Sequence, residues 1–153
     1  MRVLIQRVAH ASVTIEGERV AEIGRGLLVL VGVAVTDTEQ DVDYLVKKTS
    51  QLRIFDDENG VMNLDVRQVD GEVLVVSQFT LQAATRKGNR PSYIHAAGEA
   101  VAVPLYESFK AKLAEAIGKC VPSGRFGADM KVELLNDGPV TIWIDSAEAV
   151  AKS

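Results

Sequence analysis

The spacing of hydrophobic positions changes several times along the chain, and each change marks an element. Val3 and Ile5, then Val13 and Ile15, alternate with polar neighbours as half-buried strands do, and Glu16-Gly17-Glu18 supplies a turn, so the opening is expected to be a β-meander. From Leu27 to Val35 the chain is continuously apolar and β-branched, which predicts a central strand covered on both faces. Thr36-Asp37-Thr38-Glu39 fits a capping box, and Val42, Leu45, Val46 and Thr49 then fall on one face of a first helix. Asp56-Asp57-Glu58-Asn59-Gly60 has the composition of a hairpin turn, with no ligand-spaced carboxylate after it to make a calcium loop.

Glu72 to Phe79 is a second strong β run, and it ends in polar residues. Val101, Leu105, Phe109, Leu113 and Ile117 recur four apart and predict a second helix, with Pro104 near its start or at a kink and Gly118 at its end. Three short β candidates follow, around Cys120, from Met130 to Leu135 and from Val140 to Ile144, with Ser123-Gly124 and Asp137-Gly138 as turns. Without a repeat, low-complexity tract or linker, the pattern predicts one α/β domain over residues 1–153, layered β-structure with two helices covering one face.

Composition narrows the function. The chain has 153 residues, 47% of them apolar, enough for a single sizeable core. Seventeen basic against 21 acidic residues leave a net charge of −4, so the chain lacks the positive field of a general nucleic-acid coater, and any RNA contact must be local. The single cysteine, Cys120, cannot form an intramolecular disulfide; it is expected as a small buried hydrophobe, and no Cys/His cluster suggests a structural zinc. The apolar run at Val3-Leu4-Ile5 is too short for a signal peptide and Leu27 to Val35 too short for a membrane span, so a soluble, cytoplasmic protein is expected.

Three segments carry potential chemistry. Ser77-Gln78-Phe79-Thr80-Leu81 puts hydroxyls and an amide at a strand end, where they could face a substrate carbonyl or simply form a turn. Neither His10 nor His95 is near it in sequence and no G-x-S-x-G elbow is present, which argues against a serine-hydrolase triad. In Asn136-Asp137-Gly138-Pro139-Val140-Thr141, Gly138 permits unusual dihedrals and Pro139 permits a cis peptide; the plainer reading is a turn opening the last strand. Arg86-Lys87-Gly88-Asn89-Arg90 concentrates three cations in a polar loop, which is either solvated surface or a contact for phosphate.

Taken together, these segments resemble the D-aminoacyl-tRNA deacylases, first described as D-tyrosyl-tRNA deacylases. The resemblance covers nearly the whole chain: the opening Met1-Arg2-Val3-Leu4-Ile5-Gln6-Arg7-Val8, the signatures Ser77 to Leu81 and Asn136 to Thr141, and Gly124-Arg125-Phe126-Gly127-Ala128-Asp129-Met130. It implies a hydrolase that cleaves the ester of D-aminoacyl-tRNA, and possible attack on glycyl-tRNA, with tRNA as partner and neither DNA nor membrane. It implies a homodimer in which a cis Gly138-Pro139 projects into the other subunit's pocket and excludes L side chains with main-chain atoms. The backbone near Phe79 and Thr80 would hold the carbonyl oxygen, Thr80 being the older candidate nucleophile, while Ser77 and Gln78 orient substrate or water. Phe126 and Met130 would line an adenosine pocket, Arg7 would support the Gly138-Pro139 loop, and Arg86, Lys87 and Arg90 would touch tRNA phosphates. No metal or cofactor is implied. Two other readings remain at this stage: a small-molecule esterase or amidase, which would not need the basic loop, and a non-catalytic RNA-binding module, which would leave Ser77 to Thr80 and Gly138-Pro139 without purpose.

Overall fold

A computed structural model describes residues 1–152. In chain order the elements are strands β1 (Arg2–Ile15), β2 (Glu18–Ile23) and β3 (Gly26–Gly32), helix α1 (Glu39–Gln51), strands β4 (Phe55–Asp56), β5 (Met62–Leu64) and β6 (Glu72–Ser77), helix α2 (Glu99–Ile117) and strand β7 (Lys131–Asp145). Short 3₁₀ turns occupy Phe79–Gln82 and Ser146–Glu148.

The long β1 is the spine of the sheet. Along one side it pairs antiparallel with β7, from Arg2–Asp145 to Thr14–Lys131. Along the other, β3 pairs with its first half and β2 with its second, and β6 adds parallel to the outside of β3. The expected meander is therefore corrected: Val3, Ile5, Val13 and Ile15 lie on one long strand, which makes a single hairpin with β2 across Glu16-Gly17, and β3 then pairs with the other half of the same flank of β1. The core explains this arrangement, because it gives β3 a strand on either side and buries both its faces.

Side chains alternate across that strand. Leu27, Val29 and Val31, with Val73 and Val75 of β6, face a core closed by Val42 and Leu45 of α1 and by Leu105, Phe109 and Leu113 of α2. Leu28, Leu74 and Val76 face a second core with Val8, Val13 and Ile23, where the curled sheet covers itself. The two helices thus cover one face, as the periodicity predicts, and Gly118 ends α2 with its N–H donating to Ala114 O at 2.9 Å.

Other boundaries differ from expectation. The N-cap of α1 is Thr38, whose Oγ1 accepts from the Gln40 N–H, and Asp41 completes the box by accepting from the Thr38 N–H at 2.8 Å. Asp37 is engaged elsewhere: its carboxylate accepts from the Met1 ammonium and from the Ala34 N–H, each at 2.6 Å. In α2, Val101 is exposed and Ala102 and Tyr106 join the buried stripe, with Pro104 inside the helix. No strand forms around Cys120, which is exposed rather than buried; Pro122 has no N–H to extend a ladder, and the segment meets the sheet through a single Ser123–Val75 bridge. The last two β candidates are one strand, β7, interrupted by a register shift at Asn136–Val140. Asp57 holds the β4–β5 hairpin turn, its Oδ1 accepting from the N–H groups of Asn59 and Val61. No helix among the described residues is long and apolar enough to cross a membrane.

Candidate active site

The site begins where β6 stops pairing. The Gln78 N–H makes the last bond to β3, to Val31 O at 2.7 Å, and the chain then coils into the Phe79–Gln82 turn. That turn lies hard against β3 because residue 32 is glycine: a Cβ there would meet Gln78 O at 2.8 Å and Leu81 Cβ at 2.9 Å. Two side chains fasten it. Gln82 Nε2 donates to Gly32 O at 2.8 Å, and Arg2 Nη1 donates to Leu81 O at 2.8 Å.

The first bond of the turn runs from the Leu81 N–H to Gln78 O. The N–H groups of Phe79 and Thr80 precede it and have no partner within the turn. They are two adjacent donors on a fixed backbone. The Thr80 hydroxyl accepts from Gln78 Nε2, so the two polar side chains of the segment orient each other.

A cavity of about 250 Å³ opens at this strand end, lined by Ser77, Gln78 and Phe79 on one side and by Phe126, Asp129 and Met130 on the other. Its wall holds one carboxylate and no histidine, lysine or arginine; neither His10 nor His95 lines it. Behind it, Tyr106 packs against Phe126 with ring centroids 5.8 Å apart. Burial pushes the Tyr106 phenol up to about 12, so it remains protonated at neutral pH, and its hydroxyl donates to Val75 O.

Asn136 to Val140 forms a second constructed feature. Gly138 has φ 147° and its bond to Pro139 is cis; a Cβ on Gly138 would also lie 2.8 Å from Val140 Cγ2. Asn136 staples the loop, Oδ1 accepting from the Val140 N–H at 2.8 Å and Nδ2 donating to Val140 O and Thr141 Oγ1. Arg7 holds it from β1, with Nε donating to Asp137 O at 2.8 Å and Nη1 to Ile54 O at 2.7 Å.

The basic loop is displayed beyond the 3₁₀ turn. Ala84 and Ser92 close its base with paired bonds of 2.8 and 2.9 Å, leaving Arg86, Lys87 and Arg90 exposed and without an ion pair among the described residues.

Ser77, Gln78, Phe79, Phe126 and Met130 therefore meet at one cavity, with Thr80 beside it, and Arg7 meets the Gly138-Pro139 loop. These two groups do not meet within the chain. Ser77 is level with Val31 and hence Val3 in the sheet, whereas the loop sits level with Arg7 and on the far strand. Neither Gly138 nor Pro139 lines the cavity. Sequence reasoning missed Asn136 as the staple, although Asn before Asp-Gly is a familiar turn-former, and missed Asp129 in the cavity wall, for which no local signal exists.

The class of site is thus a cavity at a strand end, with two adjacent main-chain N–H groups unpartnered within the neighbouring turn and no histidine, lysine or arginine in its wall. The family model described as D-Tyr-tRNA(Tyr) deacylase matches residues 4–145. A D-aminoacyl-tRNA deacylase of Bacteroides thetaiotaomicron is 60% identical over 146 residues, covering 95% of this chain and 97% of that protein. Among solved structures, a c-Myc DNA Unwinding Element Binding Protein superposes with TM-score 0.91 at 41% identity, covering 95% of this chain and 99% of that one. A structure described as a probable eukaryotic D-amino acid tRNA deacylase shares the fold, with TM-score 0.80 at 18% identity over 94% of this chain and 97% of that one. The chain belongs to the D-Tyr-tRNA(Tyr) deacylase family.

Proposed function

We propose that this chain hydrolyses the ester bond of D-aminoacyl-tRNA, releasing the D-amino acid and tRNA. The observation that carries the reading is the 60% identity, over almost the entire length, to relatives named for that activity. The Phe79 and Thr80 N–H groups hold the carbonyl oxygen as it gains charge, and one such donor contributes roughly 10²–10³ in rate. Water attacks the carbonyl carbon, the bond to the ribose oxygen breaks, and that oxygen leaves with a proton. With no histidine in the cavity wall, the neighbouring ribose hydroxyl of the terminal adenosine assists the water. Ser77 and Gln78 orient the substrate, and Phe126 and Met130 receive the adenosine.

Selectivity follows from a homodimer in which Gly138-Pro139 of one copy enters the cavity of the other and leaves no room for an L side chain. The hydrogen bonds that hold the loop, its exposure and its absence from the cavity wall of its own chain support that arrangement. Leu135 and Trp143 on β7, 54% and 47% exposed, supply apolar area for such a contact. Rejection by sterics cannot exclude glycine, so glycyl-tRNA is also a substrate. Arg86, Lys87 and Arg90 meet tRNA phosphates.

The test is hydrolysis of D-Tyr-tRNA beside L-Tyr-tRNA. Release of D-tyrosine alone is expected; equal hydrolysis of both, or of neither, overturns the reading. The likeness to a protein named for DNA binding favours one second reading, contact with a DNA strand through the same loop. Competition of single-stranded DNA with the tRNA substrate decides it, inhibition that vanishes when the loop cations are replaced being the supporting result.

A further inference from the structure

The hydrolytic site uses the backbone of Phe79 and leaves its ring unexplained. That ring is 54% exposed at the cavity rim, and Tyr93, itself 40% exposed, meets it edge to face with centroids 4.9 Å apart and planes at 70°. Neither ring belongs to a core cluster. Both are nevertheless held in place. Tyr93 follows Ser92 at the closed base of the basic loop, its carbonyl accepts from the Ala96 N–H at 3.0 Å, and Ala97 is tied back to Val33 at 2.9 Å. A large exposed aromatic pair on so fixed a backbone is a surface awaiting something flat.

Its position identifies the occupant. One edge of the pair borders the cavity that receives a terminal nucleoside; the other adjoins the loop carrying Arg86, Lys87 and Arg90. Aromatic faces flanked by cations are how proteins follow single-stranded nucleic acid, rings taking bases and cations taking the backbone. Resting on the deacylase reading above, we propose that the Tyr93 ring, braced edge to face by Phe79, is a stacking platform for the base preceding the terminal adenosine in the unpaired 3′ end of the substrate. The platform is tolerant of base identity, since every base offers a π-face, and it sets the direction in which the strand leaves the cavity.

Three D-tyrosyl esters separate the contributions: those of adenosine, of the dinucleotide cytidylyl-adenosine, and of tRNA. For the unaltered chain, kcat/KM should rise from the adenosine to the dinucleotide ester. Tyr93→Ala should reduce that gain roughly tenfold, chiefly through KM, as expected for the loss of one stacked base. Tyr93→Phe should retain the gain and Tyr93→Leu should lose it, the latter also covering any failure of the alanine variant to fold. An undiminished gain in Tyr93→Ala, or leucine serving as well as phenylalanine, overturns the platform while leaving the deacylase reading intact. Failure of the unaltered chain to cleave any of the three esters overturns both.

Discussion

Gln82, only 4% exposed, donates from its side chain to the main-chain oxygen of Gly32 at 2.8 Å and so ties the turn after β6 to the end of β3. The bond spans 50 positions in sequence and fixes the two N–H groups proposed to hold the substrate's carbonyl oxygen. Gln82→Leu removes the donor and leaves the Gly32 carbonyl without that partner, at a cost of about 1–3 kcal/mol. A lower melting temperature and a fall in kcat larger than any rise in KM are expected. A variant that is less stable but catalyses normally would show that the tie does not position the turn.

Thr80→Ala addresses the nucleophile directly. If the backbone does the work, kcat falls by less than about tenfold, since the N–H survives the change. A loss of several orders of magnitude in a folded variant, with acyl-enzyme trapped from the unaltered chain, would assign a covalent role to the Thr80 hydroxyl.

Arg7→Ala removes the donors that hold Asp137 O and Ile54 O. Hydrogen bonds from a charged group contribute about 1.5–3 kcal/mol each, so the Gly138-Pro139 loop should loosen. The expected readout is reduced discrimination between D-Tyr-tRNA and L-Tyr-tRNA, together with slower D-ester hydrolysis. Unchanged selectivity would separate the loop from chiral choice.

Replacing Arg86, Lys87 and Arg90 together by Ala should raise KM for tRNA substrates and flatten its salt dependence by about 0.7–0.9 in log–log slope for each phosphate that is no longer neutralised. Esters of adenosine alone should show no such change. A salt response identical to that of the unaltered chain would remove the loop from the interface.

Acid stability should depend on Asp41. Its buried carboxyl is pushed upward by burial, but hydrogen bonds from Lys152, Ser146 and Thr38, with the charge of the N-terminal ammonium, more than offset this and lower it from 3.8 to about 2. Folding therefore gains from the ionised form. The gain, about 2 kcal/mol, is present above pH 4 and is lost as pH falls from about 4 towards 2. Asp41→Asn should unfold more readily at pH 7 and lose less stability over that acid range. Parallel acid-unfolding curves for the two proteins would refute the assignment.

Elements whose pattern is local were legible in the chain alone. Alternation announced β1, an unbroken apolar run announced β3, four-residue spacing announced α2, and Asp-Gly signalled the bend that interrupts β7. The paired segments around Ser77 and Gly138, which resemble one family when taken together, were legible in the same way. What required the folded molecule was every relationship between distant positions. Which flank of β1 receives β3 depends on closing two cores at once, and the two alternating segments at Val3-Ile5 and Val13-Ile15, read as parts of a meander, are one strand long enough to pair with both β2 and β3. Cys120 is exposed because Pro122 and a single bridge keep its segment out of the ladder, a matter of partners rather than of side-chain type. Asp37 is drawn to the chain's ammonium and leaves the helix cap to Thr38. The cavity has the same origin: Phe126, Asp129 and Met130 reach Ser77 and Phe79 only because the sheet curls, and Gly138-Pro139 stays out of its wall. Hydrophobic period is set by the geometry of one element, whereas a site is set by how several pack, and that free energy is not written in any single stretch of chain.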